Sequence, residues 1–384
     1  MSIPTPAVGS PPNDRVVSDL FGNDASVPGT VRAPRLLILA NGVPVLGAID
    51  AEIDSNNHFA ADRFRVTIAL NADPVAGAEL TGMSDILVEV QVSLDGGASF
   101  ASLILGDVDR LSIDPVRGTL QLDGRDLSAA LIASRTQETF ANNTSSEIAT
   151  ILAGRHALNA DVQATTTVVG RYWQLEHDRI VLNQFSRATT EWDLLVTLAQ
   201  HEGFDVWVTG TTLHFRPPDA VPEPAYVLRP GATANGPANV TSLRLDRSLL
   251  LAGDIDVIVK SWNSRQGIGC VQTASRTGAS GSQGVSQTYI YVVPNLMADD
   301  ALAFGQQRLA ELTQHERVLT AEMPGELNLA PRMMLRIEGT GSDFDQSYWI
   351  DRVERRISMV YGFSQTLQAK NTSMTSQPTA PTSG

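Results

Sequence analysis

A chain of 384 residues has room for roughly two to four domains, and 42% apolar with 18% charged residues is the balance of a folded protein whose surface leans on Ser, Thr, Asn and Gln. A net charge of −14 argues against phosphate-tracking nucleic-acid binding, in which basic patches supply most of the affinity. Cys270 is the only cysteine, which excludes a disulfide framework and a multi-cysteine zinc site within one chain.

The first 30 residues, with Pro4, Pro6, Pro11, Pro12 and Pro28 among Gly, Ser and Asp, read as an extended arm. They hold neither a basic start nor an apolar signal region, and no stretch reaches the roughly 18 to 20 apolar residues of a membrane span, so a soluble protein made in the cytoplasm is expected. "RLLILANGVPVLGAID" sets two apolar runs around Asn41-Gly42, a strong hairpin signal. "RFRVTIAL" alternates with Phe64, Val66, Ile68 and Leu70 on one face, and "DILVEVQVSLDGG" does so with Ile86, Val88, Val90 and Val92. Two further strands flank Asp114 to Gly118, and five or more short strands at this spacing read as an antiparallel barrel or sandwich.

After Asp126 the pattern becomes helical. "LSAALIASR" is followed by "NTSSEIATILAGRHAL", where Thr144 as N-cap and Glu147 three residues on form a capping box. "TEWDLLVTLAQHEGFDVWVTGTTLHF" repeats the plan, with Thr190 as N-cap, Asp193 at N3, a helix stop at Gly203 and a hairpin turning at Thr209-Gly210. Strands resume near Val240, Gln266 to Gln287 reads as a long loop, and "ADDALAFGQQRLAELTQHER" is an amphipathic helix with Leu302, Leu309 and Leu312 inward. "RVLTAEMPG", "RMMLRIEG", "QSYWIDRVERRIS" and "GFSQTLQAKN" are the closing strands, and "NTSMTSQPTAPTSG" is a tail.

A search for chemistry leaves no site. No phosphate-binding loop and no Gly-x-Ser-x-Gly elbow is present. His201-Glu202 begins a motif like that of zinc hydrolases, but Asp205 stands at its last position and Gly203 stops the helix between the ligands; His315-Glu316 has Leu319 where a ligand is required. Both pairs read as charge balance at helix ends. The acid pairs Asp107/Asp109, Asp123/Asp126 and Asp254/Asp256 sit at strand ends or turns, and Trp192, Trp207, Trp262 and Trp349 read as packing residues rather than a sugar platform. No catalytic, cofactor-binding or metal-ligating residue is therefore assigned, and neither enzymatic activity nor a cofactor is expected. Lys260 and Lys370 are the only lysines among 28 basic residues, a bias that suits pairing with carboxylates and that a GC-rich coding sequence would also produce.

"LDGRDLSAALIASRTQETFANNTSSEIATILAGRHAL", the Thr190–Phe215 segment and the closing helix with its strands resemble the phage late control D and baseplate hub family, over about Gln121 to Lys370. One departure is "LAPRMM", where Arg332 stands in place of the glycine expected after Pro331, which puts that turn in question. The resemblance implies an α+β, β-rich fold with two antiparallel barrel-like (tube) domains flanking a helix-containing middle domain. The divisions are 1–30, extended arm; 31–126, first barrel-like domain; 127–235, α/β middle domain; 236–370, second barrel-like domain with the long helix; and 371–384, flexible tail. It further implies a structural subunit of a contractile tail, a homotrimer whose six tube domains adapt a six-fold tail tube to a three-fold spike. Tube protein, spike protein and neighbouring baseplate proteins are then its partners, in the virion's tail baseplate. The strands at Phe64–Leu70 and Asp254–Lys260 are expected to line or close the ring. A tail-tip peptidoglycan-degrading glycoside hydrolase, or a carbohydrate-binding module, is the alternative.

Overall fold

The computed structural model describes residues 32–371 except 73, 136–139, 141, 167, 170–189, 219–225, 234–235, 264–267, 278–286 and 295. The N-terminal arm, all of the tail but Asn371, and the glycine-rich part of the expected loop lie outside the described residues.

The first strands follow the alternation in the sequence. β1 (Arg35–Ala40) turns at Asn41 and Gly42, both at positive φ (50° and 78°), into β2 (Val43–Val45), the turn that two-residue hairpins favour. β3 (Ala48–Asn56), β4 (Arg63–Ala69), β5 (Leu87–Ser93), β6 (Ala101–Asp114) and β7 (Thr119–Asp126) complete the group. Helix α1 (Pro74–Gly82), which the sequence reading did not anticipate, interrupts it and buries Leu80. The group packs Ile38, Ile53, Phe64, Val66, Ile68, Val88, Val90, Leu120 and Leu122 into one core.

The middle segment holds α2 (Ser128–Ala133), α3 (Ser145–Arg155), β8 (Asn159–Val162), α4 (Glu191–Glu202), β9 (Asp205–Thr209) and β10 (Thr212–Arg216). Both anticipated capping boxes form: Thr144 and Thr190 each accept the backbone N–H three residues on, and the Glu147 and Asp193 carboxylates each accept the cap's own N–H. Gly203 at φ 69° ends α4 in the left-handed conformation that favours glycine. β8, β10 and β9 form a three-stranded sheet whose apolar face, with Val206, Val208, Leu213 and Phe215, meets Ile148, Leu152, Leu195 and Leu198 of the helices.

The last segment contains β11 (Tyr226–Leu228), β12 (Ser242–Arg247), β13 (Ile255–Asn263), β14 (Ile268–Arg276), β15 (Gln287–Val292), α5 (Ala298–Gln314), β16 (Arg317–Pro324), β17 (Met334–Ile337), β18 (Ser347–Ser358) and β19 (Gly362–Asn371). Two expectations need correction here. The loop assigned to Gln266–Gln287 contains β14, which pairs antiparallel with β13 from Ile255↔Arg276 to Asn263↔Ile268; its polar composition reflects an exposed face, not a lack of ladder hydrogen bonds. Leu302 is not in the contact of α5, which lies on β13 and β14 through Ala301, Phe304 and Gly305 with Leu309 and Leu312. Gly305 permits the close approach, since a Cβ there would lie 3.2 Å from Val259 Cγ2.

The fold is α+β and β-rich, built on a large antiparallel sheet in the order β12-β16-β19-β18-β3-β4-β7-β6-β5-β1-β2, with β17 and β11 attached through β18. The pairing of β18 with β3, from Arg352↔Asn56 to Ser358↔Asp50, joins the first and last strand groups edge to edge. Each group keeps its own core on the same side, the last one around Leu319, Leu335, Tyr348, Ile350, Val353 and Leu367.

Candidate functional site

The residues with chemical potential are not brought together. His201 Nδ1 lies 3.5 Å from Glu202 Oε1, and that carboxylate accepts the Ser145 hydroxyl at 2.6 Å, so the pair ties α4 to α3. Asp205 lies beyond Gly203 at the start of β9. Glu316 is 3% exposed and holds Arg276 at 2.5 Å and Arg247 at 3.1 Å, a clamp between strands. Trp192 is buried and donates to the Phe59 carbonyl at 2.7 Å, Trp207 stacks on His214 with ring centroids 4.7 Å apart, and Trp262 stands exposed on β13. Half-buried Cys270 sits against the Leu296 carbonyl. Among the described residues no group of three His, Cys, Asp or Glu could hold a metal ion.

What the fold does assemble is a surface. Because strand side chains alternate, most apolar residues of β3, β4, β7, β18 and β19 point to the cores and most polar ones away, with Trp349 and Ala69 in the outer rows and Arg355 and Gln365 in the inner ones. On that opposite face, from β19 to β7, every position in the central rows is polar. Ser364, Thr366 and Gln368 stand opposite Arg356, Glu354 and Arg352. Glu52 lies between Arg356 and Arg65, and Arg65 opposite Asp123.

Ion pairs run along and across the strands. Arg356 reaches Glu354 at 2.6 Å and Glu52 at 3.7 Å; Arg65 reaches Asp123 at 2.7 Å and Glu52 at 3.9 Å. Arg352 grips Asp54 with two hydrogen bonds of 2.6 and 2.8 Å, and Arg125 grips Asp109 with 2.6 and 2.7 Å. The Arg125 guanidinium holds the Asp109 carboxyl below the usual range, while burial raises that of Asp107. The side chains of Arg65, Glu52 and Arg356 are 52%, 45% and 63% exposed, and such pairs contribute about 0.2 to 1 kcal/mol each. The ladder therefore adds little to stability; its consequence is a wide, hydrated face with opposite charges interleaved. β4, expected to line a ring, lies in this face, whereas β13 lies in the separate sheet β14-β13-β15.

A second polar cluster escaped the sequence reading. A cavity of about 210 Å³ between the large sheet, β9 and the loop before β17 is lined by Asp62, Asp126, Ser128, Arg332 and Arg355. Arg332 is the residue that replaced the expected glycine, and it has φ 71°, the left-handed region in which glycine is free of Cβ strain. Its guanidinium lies 4.7 Å from the Trp207 ring centroid, a cation–π contact that fastens this loop to β9. The one signal in the sequence was that missing glycine. Asp62 directly precedes one segment read as an ordinary strand and Asp126 ends another, and only the tertiary fold buries them together.

The model of a family described as the Alg8 N-terminal domain matches residues 101–235, well short of half the chain. No curated protein matches. Among solved structures, the tail protein from Neisseria meningitidis is similar with a TM-score of 0.67 and 16% identity, over 88% of this chain and 97% of that one. A 43 kDa tail protein of prophage MuSo2 from Shewanella oneidensis gives 0.63 and 15%, over 88% and 98%. An E. coli component of the type VI secretion system, described as structurally similar to T4 bacteriophage tail proteins gp27 and gp5, gives 0.51 and 12%, over 88% and 77%. At these identities the likeness is one of fold. The chain has the fold of bacteriophage tail proteins.

Proposed function

We propose that the protein is a structural subunit of a phage-type contractile tail, a baseplate hub that assembles as a homotrimer and presents six tube domains, two per chain, to a six-fold tail tube above and a three-fold spike below. The observation that carries this reading is the polar face that runs without interruption across the β18–β3 junction. A face whose central rows are polar, backed by two cores, suits the wall of a water-filled channel built from both strand groups. The domain division given above, with tube domains at 31–126 and 236–370 around a middle domain at 127–235, fits this arrangement. The edge strands β2 and β12 would then find partners in neighbouring chains, which is how closed assemblies dispose of exposed edges.

The similar folds of tail proteins support the same reading, as does the type VI secretion component likened to gp27 and gp5. Partners are the tube protein, the spike protein and adjacent baseplate proteins, the location is the virion's tail, and no catalysis is involved. Light scattering over a range of concentrations tests this: a species of about 124 kDa, three copies of the 41.2 kDa chain, is expected. Particle images of that species should show a ring with the β18–β3 strands at its bore. A chain that stays monomeric alone and in the presence of tube and spike proteins overturns the proposal.

A further inference from the structure

Where the β9–β10 hairpin closes over the large sheet, charged groups converge from every element that packs there. Asp62, just before β4, accepts the Asn56 N–H at 2.9 Å and has Asp54 of β3 as a neighbour. Asp126, at the end of β7 and 7% exposed, accepts the Ser128 hydroxyl at 2.5 Å, and its backbone N–H donates to the Asp62 carbonyl at 3.0 Å. Arg332 enters from the loop before β17 and feels Asp205 of β9, Asp62, Asp126 and Asp351 of β18. Arg355 of β18, 4% exposed, donates to the Leu329 carbonyl and feels Asp62. Asp351 is held by Lys370 at 2.8 Å, and those two with His58 face His315 behind the cluster. The Nε atoms of Arg332 and Arg355 are buried and have no hydrogen-bond partner among the described residues.

We propose that this junction is a proton-linked latch: seating the β9–β10 hairpin on the sheet takes up protons on the Asp62–Asp126 pair, so the hairpin is held tightly in mild acid and loosely in mild alkali. Neither aspartate receives a bidentate arginine. Their hydrogen bonds come from the backbone N–H groups of Asn56 and Ser128, the Asn56 amide and the Ser128 hydroxyl, an arrangement that leaves two enclosed carboxylates repelling each other whenever both are ionised.

Burial pushes Asp62 up to about 6 and Asp126 up to about 7, from an ordinary value of 3.8. Closed-state values above the open ones mean that the contribution to closure is fully present below about 3.8 and is lost as pH rises through 6 and 7. Asp205, raised by burial, acts in the same direction. His315, lowered by burial, acts in the opposite one: its contribution is present above 6.5 and lost on acidification.

Hydrogen exchange on the full chain tests the latch, with rates at pH 5.5 and 8.0 corrected for intrinsic base catalysis. Protection of residues 205–216 should be at least about ten-fold greater at pH 5.5, the equivalent of one pKa unit, while residues 87–93 in the sheet change little. The variant carrying Asp62→Asn and Asp126→Asn mimics the protonated pair, and its hairpin should be as protected at pH 8.0 as the wild type's at pH 5.5. Should that variant fail to fold, Asp126→Asn alone is expected to remove more than half of the logarithmic response. Hairpin protection in the wild type that is equal at the two pH values, or a pH response undiminished in the variants, overturns the inference.

Discussion

Glu316 lies where three parts of the chain meet, and replacing it with alanine should release one of them. Glu316 directly precedes β16, its backbone carbonyl accepts the Ser248 N–H at 2.7 Å, and its two carboxylate oxygens divide between Arg247 of β12 and Arg276 of β14. Arg276 thereby ties the α5/β13–β15 unit to the large sheet. The Glu316 side chain is 4% exposed and that of Arg276 17%, so removal of the carboxylate leaves an enclosed guanidinium with one long contact, to the Leu251 carbonyl at 3.4 Å. Breaking a buried pair from one side costs about 3 to 5 kcal/mol. The Arg247 contact is 34% exposed on the arginine side and belongs to the range of about 0.2 to 1 kcal/mol. Glu316→Ala should therefore cost about 3 to 4 kcal/mol, and Glu316→Gln, which keeps the shape and one acceptor, about half of that. In a chain of several cores the loss is best read locally: exchange of residues 268–276 should accelerate by more than about a hundred-fold, with residues 63–69 unaffected. A loss below about 1 kcal/mol, or an equal loss in both strands, would refute the assignment of Glu316 as the tie between these units.

Three further outcomes follow from local geometry. Thr190→Ala should cost about 1 kcal/mol and Thr190→Ser little, measured by exchange in α4, because the hydroxyl accepts the Asp193 N–H at 3.0 Å. Gly124→Ala should destabilise the first strand group by at least about 1 to 3 kcal/mol in denaturant melts. Its Cβ would lie 2.3 Å from both Phe64 Cζ and the Asp107 carbonyl oxygen, so adding Phe64→Leu should restore only part of the loss. Arg65→Glu should leave thermal stability within about 1 kcal/mol while altering assembly, a split visible by comparing melting with native mass.

Legibility in the sequence followed the range of the interactions involved. The hairpin at Asn41-Gly42, the alternation in β4 and β5 and both capping boxes rest on residues within a few positions of one another, and all formed as read. β14 was read as loop because its outer residues are polar or exposed and its inner ones, such as Gln272 and Arg276, are only half enclosed; pairing with β13 outweighs weak strand propensity. Helix α1 has no acidic residue in its first turn, no basic one in its last and no apolar stripe, so little in its nine residues announces it. The β3–β18 junction joins segments about 300 residues apart, and no local pattern states which edges will meet. The cluster at Asp62 and Asp126 was hidden for the same reason, since burial there is created by a hairpin and a loop from elsewhere in the chain.

Arg332 shows how a local misfit and a long-range contact explain each other. A left-handed residue at φ 71° disfavours any side chain by roughly 1 kcal/mol, and a glycine would remove that strain. Arginine at the same position reaches the Trp207 ring and stands among Asp62, Asp126, Asp205 and Asp351, which offset the cost of enclosing a cation. Arg332→Gly should therefore relax the loop and weaken the seat of the β9–β10 hairpin. The two effects separate because the backbone gain is independent of pH, whereas loss of the cation removes a charge that favours ionisation of Asp62 and Asp126. Their ionisation should then move to higher pH, opposite to the direction in which a mere opening of the cavity to water would move it.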